Sequence, residues 1–259
     1  MQNTAIVNYH IKSHEVQAFQ FDVDGKIGTL IEPELIPTEV TVQDMREGNI
    51  HLNVAKDGVT FKRSPSQIDD FESTRSWQST YDQELESLLK TSLGAQEVIV
   101  FDHTVRIDDS NATRRPARNV HNDYSQDGAE QRLIDIVGEE KARIFSEGHY
   151  AFINVWRPVE HVIRTAPLGF IHPDSMRETD WMNIELVYPN RHGQILGVAA
   201  NPEHRWFYLS EMTPEEVAIF NIYDNEGLPH VGHSALDMDS GKTSTKPRKS
   251  IESRTLVRY

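Results

Sequence analysis

The stretch NVHNDYS, residues 119–125, places a histidine and an aspartate two positions apart, at His121 and Asp123. Imidazole and carboxylate groups are common ligands of divalent metals. A second His-x-Asp motif occurs at His172 and Asp174. The motif alone therefore does not identify a metal site, and the choice between the two copies depends on the rest of the chain.

The composition is that of a soluble globular protein, with 259 residues of which 37% are hydrophobic and 25% are charged. The absence of cysteine excludes disulfides and thiolate metal ligands and suits a reducing compartment. A net charge of −14 argues against a nucleic-acid partner, and no apolar run approaches the roughly 18 residues of a membrane helix. We therefore expect a cytoplasmic protein with a small-molecule substrate and with no nucleic-acid or membrane partner. The sequence leaves the oligomeric state open, with a homodimer among the options.

The first third of the chain alternates apolar and polar residues in short runs, which is typical of strands. Residues 18–31 and 49–63 each place an Asp-Gly pair between two such runs, so each predicts a β-hairpin. Residues 38–48 predict a further strand. Residues 80–94 change to a helical period, and Gly94 suits the C-terminal end of that helix.

The second half predicts mainly strands. Residues 127–148 predict helix with a glycine interruption, whereas residues 105–118 and 238–250 are polar and predict loops. Several short apolar runs, separated by Pro and Gly, favour an all-β sandwich or barrel. No G-x-G-x-x-G turn links a strand to a helix, so a Rossmann nucleotide site is not expected.

These elements predict a mainly β protein, a double-stranded β-helix or jelly-roll, cupin-like barrel with flanking helices. We expect one oxygenase domain over residues 1–259. Within it, residues 1–104 would supply strands and a helix that support the barrel, and residues 105–259 would form the barrel core with the metal site.

A non-haem Fe(II) oxygenase binds its iron through two histidines and one carboxylate. In a barrel of this kind the His-x-Asp motif follows an early strand, and the second histidine lies near the end of the barrel. Asp123 precedes His233 by 110 residues, which leaves room for the intervening strands, whereas Asp174 precedes it by only 59. The spacing favours His121, Asp123 and His233 as ligands of Fe(II).

Arg248 and Ser250 follow His233 at the distance expected for residues that bind 2-oxoglutarate. A guanidinium offers a planar, bidentate fork to a carboxylate, and a serine hydroxyl adds a further hydrogen bond. Arg254 would lie on the same face of a regular strand and is the alternative anchor. With 2-oxoglutarate as co-substrate, O2 would be the oxidant.

Several longer strings resemble successive signatures of a largely fungal hydroxylase/desaturase family, whose relatives include an aspergillic-acid pathway hydroxylase, a gibberellin desaturase and a cephamycin methoxylation protein. The strings are VHNDYS (120–125), INVWRP (153–158), APLGF (166–170), HRWFYLSEMTPEEVAIFNIYD (204–224), HSALD (233–237) and PRKSIESRTLV (247–257). The resemblance implies a jelly-roll barrel that uses Fe(II), O2 and 2-oxoglutarate. The substrate would be a small secondary metabolite or amino-acid derivative, which hydrogen abstraction would hydroxylate, desaturate or cyclise.

The chain departs from the family pattern at the distal histidine, where the family reads close to Pro-His-Thr-Ala-Phe-Asp. Residues 228–237 read LPHVGHSALD and so offer two candidates. His233 matches through the four residues that follow it, whereas His230 matches only through the preceding Pro229. Three residues apart on a strand, the two side chains would point to opposite faces. We expect His233 to bind the metal, with His230 as the alternative.

Five further residues are candidates for the substrate or co-substrate pocket. On a strand, an asparagine and a tryptophan two residues apart share one face, and the arginine next to the tryptophan faces away. Each candidate also has a purely structural interpretation, as a packed ring, an ion pair or a hydrogen-bonded strand end. The candidates are Tyr124, Asn154, Trp156, Arg157 and His103.

Two other functions are compatible with these motifs. One is a metal-binding β-barrel with non-oxidative chemistry, in which Arg248 is structural. The other is a catalytically silent binding module, in which His121 and Asp123 belong to a polar loop. Formation of succinate separates the first from an oxygenase, and affinity for iron separates the second.

Overall fold

The structure is a computed structural model that describes residues 3–13, 15–26, 29–48, 51–71, 74–238 and 246–259. The fold is mainly β, as the sequence predicts. Within the described residues the strands are β1 (Asn3–His10), β2 (Gln17–Phe21), β3 (Leu30–Ile31), β4 (Leu35–Asp44), β5 (Val59–Arg63), β6 (Glu97–Ile107), β7 (His121–Asn122), β8 (Tyr150–Pro158), β9 (Leu168–Ile171), β10 (Trp181–Tyr188), β11 (Arg191–Val198), β12 (Trp206–Tyr208), β13 (Glu216–Asp224), β14 (His233–Ala235), β15 (Asp237–Met238) and β16 (Lys249–Arg258).

The helices are few and lie between strands. Their bounds are α1 (Val54–Asp57), α2 (Gln78–Leu93), α3 (Gln126–Val137) and α4 (Glu139–Ser146), with 3-10 turns at Val23–Gly25, Pro173–Ser175 and Glu178–Asp180. In the part of the chain that the structure describes, no helix has the length and apolar character needed to cross a bilayer.

The helix predicted over residues 80–94 is confirmed as α2. Its apolar period buries Tyr81, Leu85 and Leu89 on one face, and burial of each leucine contributes roughly 2 kcal/mol. Gly94 ends the helix with φ 75°, a left-handed conformation that glycine adopts without steric cost. The interrupted helix of the second half is confirmed as α3 and α4.

The strands form two sheets. An eleven-stranded sheet has the order β15-β1-β4-β12-β9-β14-β7-β11-β10-β2-β3, and a five-stranded sheet has the order β5-β13-β8-β16-β6. Most neighbours are antiparallel, but β2 is parallel to β10 and β4 is parallel to β12. The pairs β2–β3 and β10–β11 are consecutive in the chain. Most other neighbouring strands come from separate parts of the sequence, so strands from the two halves of the chain alternate within the sheets.

The two sheets share one hydrophobic core. Phe170 and Phe207 from the larger sheet belong to the same buried cluster as Trp156 and Phe220 from the smaller one. The ring centroids of Phe170 and Phe220 lie 5.1 Å apart. Helix α2 covers the opposite face of the smaller sheet through a second cluster. The smaller sheet is therefore buried on both faces, and its inner face looks toward the larger sheet.

The hairpin predicted over residues 49–63 is wrong, because its Asp-Gly pair ends a helical turn. The side chain of Asn53 accepts a hydrogen bond from the backbone N–H of Ala55 at 2.8 Å, and the carboxylate of Asp57 accepts one from the N–H of Asn53 at 2.8 Å. Gly58, with φ 71°, closes the turn. The following strand β5 then pairs with β13 rather than with its own predecessor.

The other predictions for local structure fare better. The hairpin over residues 18–31 is confirmed, since β2 and β3 pair antiparallel, although residues 27–28 lie outside the described residues. Strand β4 confirms the strand predicted over residues 38–48. The loop predicted from residue 105 begins only after Ile107, where β6 ends. Residues 239–245 of the other predicted loop lie outside the described residues.

Candidate metal centre

Two neighbouring strands of the larger sheet bring His121, Asp123 and His233 together. Strand β7 begins with His121, and Asp123 directly follows this strand. Strand β14 begins with His233, which is the cross-strand partner of His121. Direct partners project on the same face of a sheet, and the two ring centroids lie 4.5 Å apart. One ligand atom from each of the three residues lies within 4.8 Å of the others.

Backbone hydrogen bonds orient both imidazoles. The Nδ1–H of His121 donates to the carbonyl oxygen of Asn119 at 2.8 Å, and the Nδ1–H of His233 donates to that of Val231 at 3.3 Å. A carbonyl can only accept, so each Nδ1 carries a proton, and in the neutral form of the ring the lone pair is on Nε2. This tautomer is the one in which Nε2 can bind a metal.

The carboxylate of Asp123 has one occupied and one available oxygen. Oδ2 accepts hydrogen bonds from Asn154 Nδ2 at 2.8 Å and from Arg254 Nε at 3.1 Å. Oδ1 lies 3.4 Å from Nε2 of His121. Burial acts to raise the pKa of Asp123, but the charge of the Arg254 guanidinium outweighs it and holds the pKa well below its usual range. The group is therefore an anion at neutral pH.

The three residues fit a divalent metal. All are buried, and burial, with the neighbouring His121, lowers the pKa of His233 to about 3, so its imidazole is neutral at physiological pH. Two neutral imidazoles and one carboxylate are the donor set of non-haem Fe(II) sites, which leave other positions open for co-substrate and oxygen.

The alternative ligands lie elsewhere. His230 precedes β14 in irregular backbone and packs against Trp181 at 4.9 Å between ring centroids. The expectation that it shares a strand with His233 is wrong, because β14 begins only at His233. Asp174 lies in the 3-10 turn Pro173–Ser175 and pairs on the surface with Arg205. The structure does not bring either residue to the triad.

Arg248 is buried just before β16 and is 3% exposed. Its Nε donates to Ser250 Oγ at 3.3 Å, and Nη1 donates to the carbonyl oxygen of Ala166. Its guanidinium lies over the Trp156 ring at 5.0 Å from the centroid. Burial, reinforced by Arg106, lowers the pKa of Arg248 to about 9, so the side chain remains charged at neutral pH.

The Arg248 guanidinium and the neighbouring Trp156 indole N–H are buried and have no anionic partner in the described part of the chain. Among the described residues, no carboxylate lies within ion-pair distance of Arg248, and the indole Nε1 of Trp156 has no hydrogen-bond partner. A buried cation without a counter-ion is unfavourable. The pair therefore fits an anionic group such as a carboxylate.

Arg254 has a different environment from Arg248. It lies on β16, and its donors contact Asp123, Asp102 and Glu252. The sequence presented Arg254 only as an alternative anchor for 2-oxoglutarate and did not single out Asp102 or Glu252. Alternation along β16 could have shown that residues 250, 252 and 254 share a face. It could not have shown that this face meets Asp123.

The other pocket candidates divide between the two faces of the smaller sheet. Asn154 and Trp156 face the larger sheet, and Tyr124 packs on Phe152 within the same core. His103 does not face this core. It bonds Ser253 and Asp82, both at 2.8 Å, beneath helix α2.

Arg157 also lies on the helix-covered face, with its guanidinium 5.3 Å from the centroid of the Tyr81 ring. Neither His103 nor Arg157 therefore lines the metal centre. The pocket role expected for them is wrong, because the pleat of β6 and β8 directs both side chains to the other side of the sheet.

Comparisons with known proteins identify the family. A family model described as "YDMC: Oxidoreductase/YMDC permease-like domain" matches residues 7–258. The "Hydroxylase/desaturase efuI" of Hormonema carpetanum is 30% identical, over 84% of this chain and 82% of its own length. The "Alpha-ketoglutarate-dependent dioxygenase phiK" of a fungal species is 29% identical, over 84% of this chain and 83% of its own length.

A solved structure shares the fold. The "iron and alpha-ketoglutarate-dependent endoperoxidase NvfI with different conformation" superposes with a TM-score of 0.86 at 20% identity, over 100% of this chain and 97% of that one. A mainly β fold with a buried two-histidine, one-carboxylate centre defines the class as oxidoreductases of the non-haem iron type. The chain belongs to the fungal hydroxylase/desaturase family of Fe(II)/2-oxoglutarate-dependent oxygenases. The family predicted from the sequence motifs, with iron and 2-oxoglutarate as its cofactors, is thus confirmed.

Proposed function

We propose that His121, Asp123 and His233 bind Fe(II) and that Arg248 and Ser250 hold 2-oxoglutarate by its remote carboxylate. The observation that carries the proposal is the buried triad, with one ligand atom from each residue within 4.8 Å of the others. When bound, Fe(II) would activate O2 at the expense of 2-oxoglutarate, which becomes succinate and CO2. The chain's own residues would orient Fe(II) and 2-oxoglutarate and exclude water from the site.

The role of Arg248 follows from charge and geometry. 2-Oxoglutarate is a dianion, and its remote carboxylate would meet the Arg248 guanidinium, which is buried and has no ion-pair partner among the described residues. The Ser250 hydroxyl, already bonded to Arg248 Nε, fixes the guanidinium. The free indole N–H of Trp156 would donate to the same ligand. The Arg248 guanidinium, the Ser250 hydroxyl and the Trp156 indole N–H would together bind the remote carboxylate of 2-oxoglutarate tightly and in one orientation.

The proposed architecture is a double-stranded β-helix within a single domain over residues 1–259. In support, β6, β7, β8 and β9 alternate between the smaller and the larger sheet, and β12, β13, β14 and β16 do so again. The remaining strands and the helices would flank this core. Strands β5 and β6, both drawn from the N-terminal part of the chain, form the two edges of the smaller sheet.

The substrate is proposed to be a small secondary metabolite, in keeping with the hydroxylase/desaturase and dioxygenase relatives. Hydrogen abstraction from it would lead to hydroxylation, desaturation or cyclisation. The substrate would enter beside Asp123, where Tyr124 is half-buried next to the triad.

A binding experiment tests the proposal without knowledge of the substrate. The apo-protein is loaded anaerobically with Fe(II) and titrated with 2-oxoglutarate, because chelation of Fe(II) by a 2-oxo acid gives a visible charge-transfer absorption. We expect the absorption in the native protein and its loss in His233→Ala. Succinate is then measured after admission of O2. Iron binding without the absorption or succinate would point to non-oxidative chemistry, and no iron binding would point to a silent binding module.

A further inference from the structure

A transverse row of side chains crosses the smaller sheet directly beneath the metal centre. The row consists of Asp102 on β6, Arg254 on β16, Asn154 on β8 and Phe220 on β13, each the cross-strand partner of the next. Direct partners in a sheet project on the same face. The strand register therefore directs all four side chains toward the larger sheet.

The transverse row meets two of the three triad residues. The Phe220 ring packs edge-on against the His233 ring, with 5.0 Å between centroids. Asn154 Nδ2 donates to Oδ2 of Asp123 at 2.8 Å, and Arg254 Nε donates to the same oxygen at 3.1 Å. Two donors from neighbouring strands thus converge on one oxygen of the carboxylate.

Arg254 is itself fixed on every nitrogen. Nη1 donates to Asp102 Oδ2 at 2.7 Å, and Nη2 donates to Glu252 Oε1 at 2.5 Å, while Nε donates to Asp123. Three carboxylates therefore surround one guanidinium. The charge of Arg254 is therefore already balanced by carboxylates, in contrast to that of Arg248, which has no ion-pair partner among the described residues.

We propose that Arg254 and Asn154 are positioning residues that hold Oδ2 of Asp123, so that the carboxylate offers only Oδ1 to the metal. The inference rests on the proposed function of the triad. A carboxylate that uses both oxygens would occupy a position that the co-substrate or oxygen needs, because the two-histidine, one-carboxylate site works through its open positions. Partners of this kind orient metal ligands and contribute to metal affinity.

The first test measures binding of Co(II), a metal that needs no exclusion of air. Asn154→Leu removes one donor to Oδ2 without a change of charge or much change of volume. We expect its affinity for Co(II) to fall about 10- to 100-fold, the usual effect of losing a partner of a metal ligand. The matched control is Asn183→Leu, the same substitution at an exposed position on β10, which should bind Co(II) as the native protein does.

The second test uses the electronic spectrum of bound Co(II), which reports the coordination number. Arg254→Gln removes a cation near the metal, and this alone would favour metal binding, so affinity is a poor measure for this variant. Release of Oδ2 should instead change the Co(II) absorption in the same way as in Asn154→Leu. A native spectrum in both variants would overturn the proposal.

A double-mutant cycle separates positioning from a general structural role. In an Asp123→Ala background Oδ2 is absent and only the two histidines can still bind Co(II), weakly and at high Co(II) concentration. Asn154→Leu should not change this residual affinity. An equal loss with and without Asp123 would mean that Asn154 only supports the fold and would refute the inference. A higher requirement for 2-oxoglutarate in Arg254→Gln, with a native Co(II) spectrum, would refute it as well.

Failure of the proposed function would be seen in the native protein itself, not only in the variants. In that case the native protein would bind neither Co(II) nor Fe(II) through the triad, or it would give no 2-oxoglutarate absorption. If the native protein behaves as proposed and the Asn154 and Arg254 variants match it, only the positioning role is refuted.

Discussion

Replacement of Arg248 by alanine should weaken binding of 2-oxoglutarate while leaving the affinity for iron close to that of the native protein. Arg248 is 3% exposed and stacks on Trp156, so the carboxylate that it binds is removed from water with it. Its hydrogen bonds to described residues are to Ser250 and to the carbonyl of Ala166, and neither of these is a triad residue. The expected effect is therefore confined to the co-substrate.

The magnitude follows from the burial of the ion pair. Removal of one partner of a buried pair costs on the order of 3–5 kcal/mol, because the other charge is left uncompensated. At about 1.4 kcal/mol for each factor of ten, the affinity for 2-oxoglutarate should fall at least about a hundredfold. Arg248→Lys should recover only part of the loss, since an ammonium cannot reproduce the bidentate fork over the indole.

The assay is succinate release as a function of 2-oxoglutarate concentration, with iron content measured on the same samples. The control is Arg254→Ala, in which the KM for 2-oxoglutarate should change much less, because Arg254 is committed to Asp102, Asp123 and Glu252. An unchanged KM in Arg248→Ala together with a large rise in Arg254→Ala would mean that Arg254, six residues further along the chain, binds the remote carboxylate instead of Arg248.

The two remaining predictions compare triad residues with their nearest sequence alternatives. Asp123→Ala should lose iron and turnover, whereas Asp174→Ala should keep both, because the Asp174 carboxylate makes only a surface ion pair. Full iron occupancy in Asp123→Ala, measured by metal analysis, would contradict this prediction. His233→Ala should also lose iron, whereas His230→Ala should retain it, since the His230 ring packs on Trp181 rather than facing the triad. The reverse pattern in an iron-binding titration would make His230 the ligand.

Local signals predicted much of the fold. The helical period of residues 80–94 and the glycine after it were sufficient to predict α2, because both are encoded within a few residues. The Asp-Gly pair at residues 57–58 was misleading, since a left-handed glycine serves a hairpin and a helix end equally well. The capping by Asn53 and Asp57 decided between them. The pairing of β2 with β10 joins segments too distant for any local signal.

The candidate site was predictable in part. The number of residues between the His-x-Asp motif and the distal histidine favoured His121, Asp123 and His233, which the structure places together. Alternation predicted that Asn154 and Arg157 lie on opposite faces of β8, but the sequence cannot say which face is inside, because that depends on the partner sheet. For the same reason His103 was assigned to the wrong side. The contact of Arg254 with Asp123 depends on three-dimensional register and has no local signature.

The measurement that bears most directly on the central claim is an anaerobic crystal structure with Fe(II) and 2-oxoglutarate, recorded at the iron absorption edge. We expect an anomalous peak among His121 Nε2, Asp123 Oδ1 and His233 Nε2, with the remote carboxylate of 2-oxoglutarate on Arg248. A peak elsewhere, or a co-substrate carboxylate on Arg254 in place of Asp123, would contradict it.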